Sequence, residues 1–144
     1  MHPTIERNIN LFRNYINEID FVLDEENGRD GTPFFAMNIR TDSGANIRLV
    51  AAFTLDYPSV DIYCFNLADI TNPLKREIAL KHINDLNINY RYSKFTINDE
   101  GAVTISAALD FNESFDPSLI VRHIRLLYKA ADDEYRNFMK IAWS

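Results

Sequence analysis

The stretch DLNINYRYSKFTINDEGAVTISAALDF, residues 85–111, is the most regular part of this 144-residue chain. It opens on asparagines that finish a helical segment, and it then alternates apolar with polar residues on both sides of the turn NDEG (residues 98–101). Gly101 stands where a tight hairpin needs a residue with positive φ. The pattern predicts a helix followed by a β-hairpin, and it contains no catalytic motif.

The two faces of this hairpin differ in side-chain size. One face is large and apolar and is predicted to enter the core: Phe95, Ile97, Val103, Ile105, Ala107, Leu109 and Phe111. The other face of the second strand is uniformly small: Ala102, Thr104, Ser106 and Ala108. Small residues permit close approach by a helix of this chain, a second subunit or a peptide, and we expect packing within the chain first.

Three helices are predicted, before, between and after the groups of strands in the chain, since apolar residues recur there at steps of three and four. The first has Thr4 as its expected N-cap. Asn72-Pro73 opens the second and Asp116-Pro117 the third, each with a cap followed by proline. Their predicted apolar stripes are Ile5, Ile9, Phe12, Ile16 and Ile19; Leu74, Ile78, Ile83 and Leu86; and Ile120, Ile124, Leu127, Ala131, Phe138 and Ala142.

Between the first two helices the apolar period falls to two, which indicates strands. The runs are residues 35–39, 47–55 and 60–67, with a weaker one at 21–23. Short turn-rich gaps separate them, so an antiparallel arrangement is expected. The sequence therefore predicts one α+β domain over residues 1–144, in the order α-β-β-β(-β)-α-β-β-α.

The composition and net charge argue against nucleic-acid-binding and membrane-spanning proteins. The net charge is -6, which works against nucleic-acid binding, because that binding needs lysine and arginine to neutralise phosphates. No apolar run approaches the roughly 20 residues that cross a bilayer, so we expect no membrane partner. The N-terminal sequence MHPTIERNIN has no apolar signal segment, and a cytoplasmic location is expected.

Few residues offer chemistry. Cys64 is the only cysteine and falls in a strand-like run, where it is predicted to be a core residue. Of His2, His82 and His123, no two have the i,i+4 spacing of a helical metal site. The four glycines, at positions 28, 31, 44 and 101, do not have the spacing of a phosphate loop of the G-x-G-x-x-G type. We therefore expect no metal, no cofactor and no enzymatic activity, while an enzyme using His82 or His123 with acids brought near by the fold stays open.

Two acidic runs have structural interpretations. The residues Asp24-Glu25-Glu26 lack the spacing of a calcium loop, so a solvated loop between strands is expected. The run Asp132-Asp133-Glu134 lies within helical reach of several basic residues, which indicates an exposed, charge-paired helix face.

Basic and aromatic residues mix in the segment YRYSKF, residues 90–95. Such a mixture could stack on single-stranded nucleic acid. Phe95 belongs to the core face of the hairpin, however, which weakens that interpretation. Tyr90 and Tyr92 are expected to cover the sheet edge or to line a groove for a partner.

Part of the chain, from Leu80 to Tyr135, resembles the YbjN family, described as bacterial sensory-transduction regulators. The resemblance rests on the segments INDLN (residues 83–87) and KFTINDEGAV (residues 94–103), and on the long amphipathic helix from Asp116. Members often carry a glycine pair before the final helix, where this chain has NESF (residues 112–115).

This resemblance implies a type III secretion chaperone-like fold, in which small acidic proteins commonly dimerise and hold other polypeptides. A non-enzymatic protein-binding module, chaperone-like or regulatory and homodimeric, is then expected. The residues predicted to contact a protein or peptide partner are Tyr90, Tyr92, Thr104 and Ser106. The alternative is a small-molecule-sensing domain with a pocket between helix and sheet.

Overall fold

The computed structural model describes residues 2–144 and confirms the α+β fold class and the order of elements. It has three α-helices, one short 3-10 turn and six strands. Their bounds are α1 Pro3–Glu18, β1 Asp24–Asn27, β2 Pro33–Arg40, β3 Asn46–Phe53, β4 Ser59–Asp69, the 3-10 turn Pro73–Lys75, α2 Arg76–Asn89, β5 Lys94–Ile97, β6 Ala102–Asp110 and α3 Pro117–Trp143.

All six strands form one antiparallel sheet in the order β1-β2-β3-β4-β6-β5. The first four strands form a meander. The hairpin of β5 and β6 is joined to that meander through β6, which pairs with β4. Strands β1 and β5 are therefore the two edges of the sheet.

One face of the sheet carries the core. The longest helix, α3, lies along β3, β4 and β6, while α1 contacts α3 and α2 packs against β5. The predicted alternation is confirmed, since the inward residues of β3, and Val103, Ile105 and Leu109 of β6, are at most 8% exposed. Ala107, predicted on the same face, is only partly buried because it borders the end of β5. Cys64 is fully buried in this core, and burial raises the pKa of its thiol to about 12, so it behaves as a small apolar residue.

The opposite face of the sheet stays open. Tyr63 and Phe65 stack there with ring centroids 5.1 Å apart. The small face of β6 lies on this side, and Thr104 and Ser106 remain partly exposed. The expectation that another element of the chain packs on this small face is wrong, because the helices lie on the core side.

The acidic segment predicted to be a loop is the edge strand β1, and the weaker strand expected at residues 21–23 lies three residues later. The guanidinium of Arg13 on α1 donates two hydrogen bonds to the carboxylate of Glu25 in a bidentate ion pair, with N···O distances of 2.6 and 2.7 Å. This hydrogen-bonded ion pair lowers the pKa of the Glu25 carboxyl. A charged strand whose four residues are all exposed suits a sheet edge, since charge discourages pairing with other chains.

Two details of the helices also differ from expectation. The first helix is capped by His2, not Thr4, and the His2 Nδ1 atom accepts a hydrogen bond from the Thr4 amide at 3.1 Å. Before α2, Asn72 caps a 3-10 turn, which has three residues per turn and changes the phase of the apolar stripe. Leu74 is therefore 84% exposed, not buried as predicted. Ile78 is 52% exposed for a different reason: it lies within α2 five residues before Ile83, while the buried stripe of that helix is Ala79, Ile83 and Leu86.

The remaining predicted turns and caps are confirmed. Gly101 has φ +90°, and Asp116 caps α3 by accepting from the Ser118 amide at 3.0 Å. In the loop before α3, Asn112 takes φ +51° and so supplies the left-handed residue without a glycine pair.

Candidate functional site

The residue that closes the edge of β5 is Asn87, near the end of α2. Its side-chain amide donates to the Phe95 carbonyl at 2.9 Å, and its Oδ1 accepts from the Phe95 amide at 2.7 Å. These two bonds imitate a neighbouring strand. The edge of β5 is therefore occupied at Phe95 by a helix of the same chain, which protects it from further pairing.

Strand β6 is longer than its neighbour β5. The last paired residues are Lys94 and Ser106, yet β6 continues to Asp110. If β5 began two residues earlier, Tyr92 would stand opposite Ala108. Instead, the residues before Lys94 form the loop that connects β5 to the end of α2. Residues 107–110, called here the β6 overhang, consequently have β4 on one side and no strand on the other.

The register shows which backbone groups the overhang leaves free. Phe95 directs its amide and carbonyl outward to Asn87, and Asn98 bonds Ala102 across the turn. The even-numbered residues of β6 therefore face β5, because hydrogen-bonded and non-bonded pairs alternate along an antiparallel ladder. Ala108 is exposed and has this orientation, so its N–H and C=O point away from β4 and lie beyond the last pair with β5. No turn, loop or side-chain hydrogen bond reaches them within residues 2–144.

A groove opens beside the overhang, with a volume of about 470 Å³. We call it the β6 groove. Its walls come from the end of α2, the loop to β5, strand β6 and helix α3. The lining residues are Asn87, Tyr90, Arg91, Tyr92, Ser93, Lys94, Ser106, Ala107, Ala108 and His123.

The charge of the β6 groove contrasts with that of the whole chain. Its lining includes Arg91 and Lys94, and no aspartate or glutamate of the described residues lines it, whereas the chain carries a net charge of -6. A second groove of about 510 Å³ adjoins it on the open face of the sheet and shares Lys94, Ser106, Ala107 and Ala108. That second groove contains Asp61, so the two sides of the overhang differ in charge.

Three of the four predicted partner-binding residues meet at the β6 groove: Tyr90, Tyr92 and Ser106. Thr104 does not line it and lies one step along the same small face of β6, opposite Thr96. The role of all four residues in binding stays a prediction.

Tyr90 is a structural wall of the groove. Its hydroxyl donates to Glu134 at 2.8 Å, and its ring packs edge-on against Phe95 with centroids 5.2 Å apart. Burial, together with the hydrogen bond to Glu134, raises the pKa of the Tyr90 phenol. Tyr92 differs because its side chain is 55% exposed, so it is the aromatic residue available to a partner.

His123 forms the base of the groove on α3. It is 8% exposed, its ring meets Tyr92 edge-on at 5.8 Å, and its Nδ1 atom has no hydrogen-bond partner within residues 2–144. Burial and the nearby Arg122 lower the pKa of the imidazole, so His123 is neutral at pH 7. Sequence reasoning did not place this histidine beside the tyrosines, since residues 92 and 123 are far apart in the chain and come together only through the fold.

His82 and His123, the two histidines on helices, lie in different parts of the structure. His82 lies edge-on against Phe138 and 3.8 Å from a Glu134 oxygen, away from the groove lining. No group of described residues could hold a metal ion. His123 does border a concave surface, but among the described residues no carboxylate lines the groove to orient its imidazole, as a nucleophile–base pair requires.

The matching family model is described as T3SS (YopN, CesT) and YbjN peptide-binding chaperone 1, and it matches residues 35–140. The chain belongs to this family. The match covers nearly three quarters of the sequence and includes most of β2, every later strand, all the residues that line the β6 groove and most of α3. It confirms the resemblance to YbjN and to secretion chaperones.

No curated protein matches the chain. Within residues 2–144, the helices are too short or too polar for any of them to cross a membrane.

Proposed function

We propose that this chain is a non-enzymatic, chaperone-like or regulatory protein-binding module that holds an extended segment of another polypeptide. The segment would lie in the β6 groove and add a strand to the sheet beside the β6 overhang. The observation that carries this proposal is the unpaired N–H and C=O of Ala108, which open into the groove. Membership of a peptide-binding chaperone family supports it.

Strand addition suits this place better than either edge of the sheet. The edge of β5 is closed at Phe95 by Asn87, and the edge of β1 carries three acidic side chains in four residues. At the overhang, Ala107 and Ala108 have small side chains, so an incoming backbone can approach to hydrogen-bonding distance. Main-chain bonds would then provide affinity and the groove would provide selectivity.

The remaining expectations form part of the same proposal. We propose a cytoplasmic, single-domain protein that forms a homodimer. Leu74, Ile78 and Trp143 support the dimer, since they are 84%, 52% and 83% exposed. Lys75 bonds Ser144 at 2.9 Å, which brings the end of α3 beside the 3-10 turn that carries Leu74. Nothing in the family match favours the small-molecule-sensing alternative.

The test is selection of peptides of about ten residues, long enough to span the overhang as an extended strand. The variant Ala108→Pro removes the free amide without breaking a ladder bond to β4, so we expect it to fold and to bind selected peptides about tenfold more weakly. Ala108→Ser keeps the amide and is the matched control. Recovery of no peptide above background by the wild-type protein, or equal binding by Ala108→Pro, would overturn the proposal.

A further inference from the structure

The second feature of the β6 groove is its charge, which bears on the kind of peptide it accepts. We infer that the groove selects extended segments carrying acidic side chains, held beside Arg91 and Lys94. This inference rests on the proposed function and adds the class of ligand to it.

Arg91 and Lys94 are both exposed and free for a ligand. Neither forms an ion pair or a side-chain hydrogen bond within residues 2–144, although the chain has 21 acidic residues against 15 basic ones. In contrast, Arg13 and Arg48 both pair with glutamates of β1. Two unpaired cations at the mouth of a groove with no acidic lining make that groove complementary to negative charge.

The charged residues around the β6 overhang indicate where an acidic side chain of the peptide would lie. Asp61 pairs with Ala108 across the β4–β6 ladder and lines the adjoining groove together with Lys94, whereas Arg91 lines only the β6 groove. An acidic side chain is therefore best accommodated beside Arg91, in the loop before β5, with Lys94 at the boundary of the two grooves. On the open face of the sheet, Asp61 would repel it. The exposed ring of Tyr92, backed by His123, offers an apolar surface for the residues between acids.

A peptide fits these features better than a nucleic acid. The free N–H and C=O of Ala108 match a peptide backbone. Among the described residues, only two unpaired cations line the groove, and the chain as a whole is acidic. Nucleic-acid binding depends on many phosphate contacts.

The experiment uses three amidated peptides of about ten residues that alternate valine with glutamate, glutamine or lysine. Fluorescence titration of the full chain should show the glutamate peptide binding about tenfold more tightly than the lysine peptide, with the difference shrinking at high salt. The double variant Arg91→Glu/Lys94→Glu should reverse the order. The control Arg7→Glu/Arg29→Glu changes the net charge equally at exposed sites outside the groove and should keep the wild-type order.

Three results would overturn the inference: equal affinity for the three peptides, no binding of any, or reversal by the control variant. If the glutamine peptide with a free C-terminal carboxylate binds more tightly than the amidated glutamate peptide, then Arg91 and Lys94 recognise a peptide terminus and not acidic side chains. Tighter binding of a single-stranded oligonucleotide would assign the two cations to phosphate. If peptides from the unbiased selection bind at Ala108 without acidic preference, the inference fails and the proposed function stands; if that selection also fails, both fall.

Discussion

At the scale of single residues, backbone conformation and close approach decide the hairpin that forms half of the site. Gly101 combines φ +90° with a tight contact, since a Cβ placed there would lie 2.3 Å from the Ile70 carbonyl oxygen. The Gly101 carbonyl also accepts from the Ile70 amide at 2.8 Å. The turn is thus fixed both by its own geometry and by the chain that follows β4.

The variant Gly101→Ala is expected to destabilise the protein by about 3 kcal/mol or more, because left-handed strain adds to a backbone clash. Gly31→Ala is the matched control, since Gly31 has φ +83° with no atom near its missing Cβ. It should cost only about 1 kcal/mol. Urea unfolding followed by circular dichroism measures both, and equal losses would show that the contact with Ile70 is unimportant.

At the scale of elements, the fit of α2 against β5 determines which part of the sheet remains open. Asn87 closes β5, so the hydrogen-bonding groups available to a partner are those of the β6 overhang. This arrangement explains why the helix ends on asparagines: one of them replaces a neighbouring strand.

Replacing Asn87 with alanine should cost about 1–2 kcal/mol, because two hydrogen bonds to the Phe95 backbone are lost. The control is Asn84→Ala on the same helix, where the side chain is exposed and makes no hydrogen bond within residues 2–144. That change should leave the free energy of unfolding within about 0.5 kcal/mol of wild type. Urea titration of the two variants side by side decides the matter, and equal stabilities would contradict the role given to Asn87.

How far the sequence predicts the elements depends on how local their causes are. Alternation and helical spacing depend on near neighbours, so β2, β3, β4, the hairpin and α3 follow from them. The strand β1 escaped prediction because its charged residues are held by Arg13 and Arg48, which come from other elements. The exposure of Leu74 escaped because a 3-10 turn changed the helical phase.

The candidate site could be predicted only in part, because some of its residues are recognisable from local sequence and others come together only through the fold. Tyr90, Tyr92 and Ser106 were selected from local pattern and do share a groove. Arg91 and Lys94 were visible in the same segment, although their charge first suggested a nucleic acid. His123 and the overhang could not be foreseen, because they depend on the register between distant strands and on the placement of α3.

At the scale of the whole molecule, the proposed homodimer would use apolar side chains that remain exposed in the single chain. Leu74 and Ile78 are exposed at the 3-10 turn and the start of α2. Arg76 holds this end of α2 beside the β5–β6 turn by donating to the Asn98 carbonyl, at the other end of β6 from the overhang. A dimer formed there would leave the groove of each subunit free for a partner.

Introducing Leu74→Glu and Ile78→Glu together should convert the dimer into a monomer without unfolding it, because both side chains are exposed in the single chain. Light scattering coupled to size exclusion measures the mass. Leu11→Glu, at a residue 42% exposed on α1, is the control and should remain dimeric. A wild-type protein that is monomeric at high concentration would contradict the dimer.

The central claim is that a partner segment pairs with the β6 overhang. Amide hydrogen exchange followed by NMR tests it directly in the intact protein, with and without a selected peptide. The account predicts that the Ala108 amide exchanges rapidly in the free protein and becomes strongly protected in the complex, while Ser106 is protected in both. Protection that appears instead along β1, or at no backbone amide of β6, would contradict it.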